Sequence, residues 1–342
     1  MTAASQVALA VQPRTRRPRI GFIGTGWIGQ SRMKAIAQWD LSEIVAIVEP
    51  NERMARAACE IAPDCLVKNS LDALLDCGLD GVAIATPSTL HASQAIAALN
   101  CGVSVFCQKP LARSCVEAHA VVDAAREADR LLRVDFSYRF LQGVRQIRNL
   151  IREDELGQIY ILDLAFHNAF GPDKGCFYDP QLSGGGCVMD LGIHLVDLAL
   201  WTLDFPVVSQ VRSELFSAGK RLRGQSHDVE DYATATLQLE NDVLAYLSCS
   251  WKAHAGCDAL IEFSVYGTQG GARMHNVGGS FYDFQTELFR GTKSEILSMP
   301  PEDWDGLAAL DWVQKLSTSN RFEPEAERFI DVASTLDSIY TP

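Results

Sequence analysis

The sequence predicts an α/β protein of two domains, in which a doubly wound parallel sheet precedes an α+β domain with a large, open, mostly antiparallel sheet. Residues 19–137 alternate short β-branched runs, apolar on both faces, with helical patterns, which is typical of parallel strands covered by helices. From residue 138 onward, strands with alternating polar and apolar residues predominate, which indicates antiparallel pairing. A length of 342 residues also favours two domains over one.

The first domain contains five predicted strands separated by helical segments. The helix at residues 114–129 begins with Ser114 and Glu117 at the spacing of a capping box. Residues 1–18 have their apolar stretch before their basic residues, the reverse of a signal peptide, and are expected to form a flexible arm. The predicted strands are RIGFI (19–23), EIVAIV (43–48), GVAIA (81–85), VSVF (103–106) and LLRVDF (131–136).

The second domain, residues 138–342, combines a few helices with many strands. A hairpin over residues 231–251 is expected to turn at Glu240-Asn241-Asp242, because residue polarity alternates on both sides of that point. The helices are predicted at about 140–154, 184–201 and 324–339, the last with Pro324 at its first position. The other strands are predicted at IYILDLAFHN (159–168), IEFSVYG (261–267), GARMHN (271–276) and SFYDFQTELF (280–289).

Composition excludes several classes of function. The formal net charge is −13, with 47% hydrophobic and 21% charged residues. A chain this acidic lacks the clustered positive charge that binds nucleic-acid backbones or anionic membranes. No run is expected to reach the ~18 to 20 apolar residues that span a bilayer. We therefore expect neither nucleic-acid nor membrane partners.

Ten cysteines are scattered through apolar segments without a CxxC pair. A zinc site would show closely spaced ligand pairs, and disulfide frameworks belong to small secreted domains. Buried free thiols are the ordinary alternative. The cysteines thus predict a cytoplasmic protein with reduced thiols and no metal site.

A glycine-rich segment, GFIGTGWIG (21–29), follows the first predicted strand and opens a predicted helix. Its GxGxxG spacing indicates dinucleotide binding in this context. The first glycine permits a tight turn, the second lets backbone approach a pyrophosphate, and the third allows close packing of helix on strand. The cofactor-binding residues expected here are Gly24, Gly26, Trp27, Ile28 and Gly29.

Glu49 ends the second predicted strand and completes the expected dinucleotide site. A carboxylate there accepts hydrogen bonds from ribose hydroxyls and repels a 2′-phosphate, which favours NAD over NADP. The alternative is a surface residue that opens a turn before Pro50, and Arg53 and Arg56 nearby are basic. We expect NAD as the cofactor, with NADP less favoured.

Lys109 follows the fourth predicted strand, VSVF, and would face a ligand bound beyond the carboxyl ends of the strands. An ammonium beside a substrate hydroxyl would stabilise a developing alkoxide. Pro110 biases Lys109 toward extended backbone. A solvated loop lysine is the alternative. The residues expected to line the cofactor site with it are Thr86, Pro87, Ser88, His91 and Gln108, although Ser88 is equally suited to cap a helix.

Asp190, His194 and Asp197 share one stripe of the helix predicted at 184–201. Taken alone, Asp190 resembles a helix N-cap and His194 a buried imidazole. A carboxylate–histidine–carboxylate face also suits a transition metal, but no supporting His or Cys lies at local spacing. A catalytic interpretation therefore depends on companion motifs.

Four segments supply those companions in order: GFIGTGWIG, ATPSTLH, CQKPLA and GGGCVMDLGIHLVDLALW. Together they resemble the glucose–fructose oxidoreductase/inositol dehydrogenase/MocA-like (Gfo/Idh/MocA) family of nicotinamide-dependent oxidoreductases, from about residue 19 to the C-terminus. The resemblance implies a Rossmann domain, then an open sheet through which family members form dimers or tetramers. It assigns catalytic roles to Lys109, Asp190 and His194, and substrate contacts to His167 and Asn168. Gln108 departs from the family pattern, which has glutamate before the lysine.

These features predict an NAD-dependent dehydrogenase for a sugar, inositol or related polyol. His194 would be the general acid/base, because its ordinary pKa near 6.5 suits proton transfer at neutral pH. Lys109 would polarise the reacting oxygen, and Asp190 would position either the substrate or His194. Asp197 is a second candidate for orienting His194, with helix capping or solvent exposure as its alternative. Two alternatives stay open: an oxidoreductase with tightly held NAD(P) that shuttles hydride between two substrates, and a non-catalytic dinucleotide-binding regulator.

Overall fold

The computed structural model describes residues 17–223 and 228–341 and places their strands in two sheets. The first sheet is parallel and contains β1 (Arg19–Ile23), β2 (Glu43–Val48), β3 (Leu66–Lys68), β4 (Gly81–Ile84), β5 (Ser104–Cys107) and β6 (Leu132–Val134). Its order, β3-β2-β1-β4-β5-β6, reverses at β1, and such a reversal creates a ligand crevice at the carboxyl ends of the strands. The predicted fold class is confirmed. Apart from Arg17 and Pro18, the predicted N-terminal arm lies outside the described residues.

The helices of the first domain connect these strands, as the alternation predicted. Ser114 caps α5 by accepting a hydrogen bond from the Glu117 N–H, but the Glu117 carboxylate binds the Arg113 N–H rather than closing a capping box with Ser114. β3 was not predicted, because its three residues are largely exposed and show no apolar pattern. The helices are α1 (Trp27–Trp39), α2 (Glu52–Ile61), α3 (Leu71–Leu75), α4 (Ser88–Asn100) and α5 (Cys115–Glu127).

The second sheet has nine strands in the order β15-β14-β13-β12-β7-β11-β10-β8-β9, and every neighbouring pair except β7 with β11 is antiparallel. Its strands are β7 (Ile159–Asn168), β8 (Val208–Ser217), β9 (Lys220–Arg221), β10 (Tyr232–Leu239), β11 (Leu244–Ser250), β12 (Ala259–Gly267), β13 (Gly271–Asn276), β14 (Phe284–Arg290) and β15 (Lys293–Ser298). The predicted hairpin is confirmed: Tyr232 pairs with Ser250, and Asn241 takes a positive φ of 60° at the turn.

Helices cover one face of the second sheet. Along β7, Leu162, Leu164 and Phe166 point into the core, while Ala165 and His167 point to the opposite, open face. The predicted helix at 184–201 starts later than expected, because Gly184–Gly186 remain outside it and a π-helical turn, Val188–Gly192, comes first. The helices are α6 (Gln142–Arg152), α7 (Pro180–Ser183), α8 (Ile193–Thr202), α9 (Leu307–Thr318) and α10 (Arg328–Tyr340).

The C-terminal segment returns to the first sheet, although the sequence assigned it to the second domain. Trp312 of α9 is fully buried, and its ring centroid lies 5.6 Å from that of Phe106 on β5. A Cβ at Gly81 on β4 would lie 2.5 Å from the Trp312 ring, so this contact requires glycine. α9 thereby joins the two domains through a shared core.

One helical stretch in the described part of the chain, Pro180–Thr202, is long and apolar enough to cross a membrane, contrary to the expectation that no run reaches that length. Of the residues in its most apolar part, 78% are buried inside the fold. Its apolar character is therefore accounted for by packing around α8.

The ten cysteines are all free.

Candidate active site

A cavity of about 510 Å³ opens at the carboxyl ends of β1, β4 and β5 and is closed on its other side by the second domain. The structure brings ten of the predicted site residues to its wall: Gly26, Trp27, Ile28, Thr86, Pro87, Ser88, His91, Gln108, Lys109 and Asp190. The second domain contributes further lining residues that were not among the individually predicted site residues, including Pro172, Asp173, Lys174, Cys176, Phe177 and Met189. The wall of this cavity is therefore built from residues of both domains.

The glycine loop has the shape that a dinucleotide requires. Gly24 has a φ of +82°, and a Cβ there would lie 2.6 Å from the Ala85 carbonyl group. A Cβ at Gly29 would lie 2.3 Å from the Gly24 oxygen, so α1 packs against the loop only without a side chain. A Cβ at Gly26 would meet nothing within 4 Å, which leaves open space beside the uncapped N-terminus of α1. Free N–H groups at a helix start attract phosphate, so these residues fit the cofactor.

Glu49 lies beside this loop rather than in the cavity wall. Its Oε2 accepts a hydrogen bond of 2.7 Å from the Thr25 N–H, and its Oε1 accepts one of 3.0 Å from the Asn51 N–H. Arg56 pairs with Glu52 at 2.9 Å on the exposed side of α2. A carboxylate therefore holds the glycine loop and places negative charge next to it.

His91 ties together two of the segments that line the cavity. Its Nδ1 lies 2.6 Å from the Pro110 oxygen and its Nε2 lies 2.8 Å from the Thr86 oxygen. Burial lowers the pKa of His91. Ser88 is the first residue of α4 rather than its cap, and the cap position is Pro87. The polar atoms of His91 thus face protein backbone, although the residue lines the cavity.

Lys109 and Asp190 meet across the domain boundary. Lys109 Nζ donates to Asp190 Oδ1 at 2.8 Å and to the Asp190 backbone oxygen at 2.7 Å. Both side chains are mostly buried, at 18% and 21% exposure. The other carboxylate oxygen of Asp190, Oδ2, accepts a 3.0 Å hydrogen bond from Trp251 Nε1. No sequence pattern marks Trp251 as a site residue, because a lone tryptophan at a strand end carries no motif.

His194 is the second residue of α8, packs among aromatic rings and is not among the residues that line the cavity. Its ring centroid lies 4.9 Å from that of Tyr138 and 6.3 Å from that of Phe166. Burial, together with the positive charges of Lys109 and Arg32, holds the pKa of His194 well below its usual range. The imidazole is therefore neutral at neutral pH, the form that accepts a proton. Within residues 17–223 and 228–341, neither Asp190 nor Asp197 is hydrogen-bonded to it.

Asp197 has a different partner. It is 1% exposed and pairs with Arg139, whose Nε lies 2.9 Å from Asp197 Oδ2 and whose Nη2 lies 2.5 Å from Oδ1. Burial raises the pKa of Asp197, and Arg139 opposes that rise. The predicted stripe of Asp190, His194 and Asp197 is consequently split: the carboxylate of Asp197 neutralises a buried guanidinium and that of Asp190 binds Lys109.

His167 and Asn168 are not brought to the cavity. His167 lies on the open face of the second sheet, where Nδ1 is 2.8 Å from Ser250 Oγ and Nε2 is 3.1 Å from Ser248 Oγ. Asn168 Oδ1 accepts a 2.7 Å hydrogen bond from the Phe170 N–H and stabilises the turn after β7. Neighbouring residues of a strand point to opposite faces, so His167 cannot share the face on which Phe166 contacts His194.

Curated relatives match most of the chain. It is 29% identical over 297 residues to D-glucoside 3-dehydrogenase of Escherichia coli (strain K12), covering 82% of this chain and 81% of the relative. It is 28% identical over 252 residues to inositol 2-dehydrogenase of Acidiphilium cryptum (strain JF-5), covering 71% of each.

Solved structures share the fold. Levoglucosan dehydrogenase in complex with NADH superimposes with a TM-score of 0.81 at 21% identity, over 95% of this chain and 96% of that one. KijD10, a 3-ketoreductase from Actinomadura kijaniata in complex with NADP and TDP-benzene, gives 0.80 at 22% identity, over 95% and 98%. At these identities the likeness concerns the fold alone.

Family models match both halves of the chain. Residues 18–136 match the NAD-binding Rossmann fold of an oxidoreductase family, and residues 144–273 match the GFO/IDH/MocA C-terminal domain. The two matches adjoin the cavity from its two sides. The chain therefore belongs to the GFO/IDH/MocA family of oxidoreductases.

Proposed function

We propose that this oxidoreductase of CH–OH groups is an NAD-dependent dehydrogenase whose substrate is a sugar, an inositol or a related polyol. The observation that carries the proposal is the contact between Lys109 Nζ and Asp190 Oδ1, 2.8 Å apart, in a cavity that also contains the glycine loop. The names of the relatives, which include glucoside and inositol dehydrogenases, support a polyhydroxylated substrate.

Lys109 is the group proposed to polarise the reacting oxygen. An ammonium has three N–H donors, and two of those of Lys109 are used by Asp190. The third is left for the oxygen of a substrate hydroxyl, where the positive charge stabilises the alkoxide as the proton leaves. Asp190 fixes the lysine, and Trp251 fixes Asp190 in turn.

His194 is the proposed general base. Burial, together with the positive charges of Lys109 and Arg32, lowers its pKa and keeps the imidazole in the neutral form that can accept the hydroxyl proton. The same lysine therefore acts on both the oxygen and the base. Gly24–Gly29 and the N-terminus of α1 would hold the dinucleotide, which would supply the hydride acceptor when bound.

Glu49 supports the preference for NAD. A second negative charge from a 2′-phosphate beside its carboxylate would be repelled, whereas ribose hydroxyls can donate to it. Since Arg56 is paired with Glu52, its charge is partly neutralised.

The open face of the second sheet is the proposed interface of a homodimer or homotetramer. Tyr232, Tyr246 and Tyr266 are each about two-fifths exposed on that face, and large apolar side chains favour association. Analytical ultracentrifugation tests the proposed oligomeric state, and a monomer would contradict it.

The free thiols support the cytoplasm as the compartment.

A substrate panel tests the proposed function. The purified protein is mixed with NAD or NADP and with individual sugars, polyols and inositols, and the absorbance of reduced nicotinamide is followed. We expect turnover with at least one compound and faster turnover with NAD. Absorbance of reduced nicotinamide in the protein before any addition would favour the tightly held cofactor of a hydride shuttle, and no reduction with any compound would contradict the proposal.

A further inference from the structure

A buried carboxylate, Asp135, lies directly behind the loop that carries Lys109. It is 1% exposed and accepts three hydrogen bonds. Arg32 Nε donates at 2.5 Å and Gln108 Nε2 at 2.8 Å, both to Oδ2, while Ser137 Oγ donates to Oδ1 at 2.7 Å. A buried charge with this many donors is held in one position.

Arg32 extends this network to both domains. It belongs to α1, which follows the glycine loop, and its Nη1 also binds Asp305 from the segment before α9. Ser31 Oγ donates to Asp305 at 2.7 Å. Asp135 is thus fixed relative to α1 and to the segment before α9.

Gln108 connects this fixed carboxylate to the lysine. Its Nε2 donates to Asp135, and its Oε1 accepts a 2.9 Å hydrogen bond from the backbone N–H of Lys109. Both ends of one amide are therefore used, one as donor and one as acceptor. A neutral amide does this at every pH, because it has no proton to gain or lose in the physiological range.

We propose that Gln108 is a positioning residue that fixes Lys109 toward Asp190 through a proton-independent link to Asp135. The inference rests on the proposed function, since it assumes that Lys109 acts on the reacting oxygen. A glutamate of the same length would accept from the Lys109 N–H equally well, but it donates to Asp135 only while protonated. Above its pKa, two carboxylates would face each other at hydrogen-bond distance, and such pairs share one proton.

The test compares Gln108→Glu with Gln108→Met. The two variants share the same side-chain length, but only the first introduces an ionisable group. kcat and KM are measured from about pH 6 to about pH 9, because one carboxyl of a pair that shares a proton has a pKa raised above the ordinary range of carboxyl groups. For Q108E we expect kcat to approach the wild-type value at the acidic end and to fall about tenfold below it at the alkaline end, the loss of one hydrogen bond to a charged group. For Q108M we expect a similar loss at every pH.

A positioning role also predicts that kcat changes more than KM. Ser137→Ala is the control for a purely structural effect, because it removes another neutral donor to Asp135 without touching the Lys109 loop. We expect a lower Tm for S137A and a pH profile of unchanged shape.

The inference is overturned if the Q108E and wild-type profiles superimpose across the range, or if Q108M keeps the wild-type kcat. The kcat of Q108M tests the inference even if Q108E does not fold. Lys109→Met separates the two proposals. If K109M turns over normally, the role of Lys109 fails; if K109M is impaired while both Gln108 variants behave as wild type, only the inference about Gln108 fails.

Discussion

Lys109 Nζ lies 2.8 Å from Asp190 Oδ1, and the two residues come from different domains. Lys109 follows β5 of the parallel sheet, whereas Asp190 lies in the π-helical turn before α8. The contact forms only when the domains are packed as observed. It also places a positive charge that, after burial, helps to lower the pKa of His194, on the cavity wall where we propose that a substrate oxygen binds.

Replacing Lys109 by methionine tests that double role. K109M keeps the apolar stem and removes the charge, so hydride transfer in a single turnover should slow by roughly 10²- to 10³-fold, as on loss of one donor to a developing oxyanion. The pKa of His194 should rise, so the acid limb of the rate profile should move to higher pH. Rapid-mixing absorbance measures both. Hydride transfer at the wild-type rate would remove Lys109 from the reaction.

Glu49 governs the expected choice of cofactor. In Glu49→Ala the repulsion of a 2′-phosphate is lost, so the ratio of kcat/KM for NAD over that for NADP should fall by about tenfold or more. Glu43→Ala is the matched control, because Glu43 lies at the other end of β2 and pairs with Arg19. An unchanged ratio in E49A, or an equal change in E43A, would contradict this role.

Asp197 is expected to matter for stability rather than for proton transfer. Asp197→Asn leaves the buried guanidinium of Arg139 with only the longer 3.5 Å ion pair to Glu325, which costs up to about 3 to 5 kcal/mol. Urea unfolding monitors the loss, and the folded variant should retain most of its kcat. Asp190→Asn, at a more exposed carboxylate, should show the reverse pattern. A large loss of kcat in D197N without loss of stability would make Asp197 the group that orients His194.

Much of this arrangement was predictable because its signals are local. The glycine loop, the strand before Lys109 and the hairpin at Asn241 each depend on a few neighbouring residues. The sequence did not predict β3, β8 and β15. Their residues do not alternate clearly between polar and apolar, and these strands lie at or near the edges of the sheets.

Contacts between distant segments were harder to predict. Helical spacing placed Asp190 and Asp197 on one stripe with His194, but a π-helical turn and the partner Arg139 separate their roles. The alternation of β7 excluded His167 from the face of Phe166, yet the sequence does not say which face meets the cavity. Trp251 and Asp135 act through partners far along the chain, and no motif marks them.

The protonation of His194 makes both the stability and the activity of the protein depend on pH. Its folded-state pKa is depressed well below the unfolded value near 6.5, so the unfolded chain takes up this proton first as pH falls. The contribution of His194 to stability is thus present above about pH 6.5 and is lost toward the folded-state pKa. Activity should likewise persist below pH 6.5 and decline only as the imidazole becomes charged.

The most direct test of the account is the turnover of His194→Ala with the best substrate of the panel, measured together with its affinity for NADH. We predict that kcat falls by roughly 10²- to 10⁴-fold, the usual contribution of a general base, while the Kd for NADH changes less than about threefold. Turnover within a few-fold of wild type at neutral pH would contradict the central claim that His194 accepts the substrate proton.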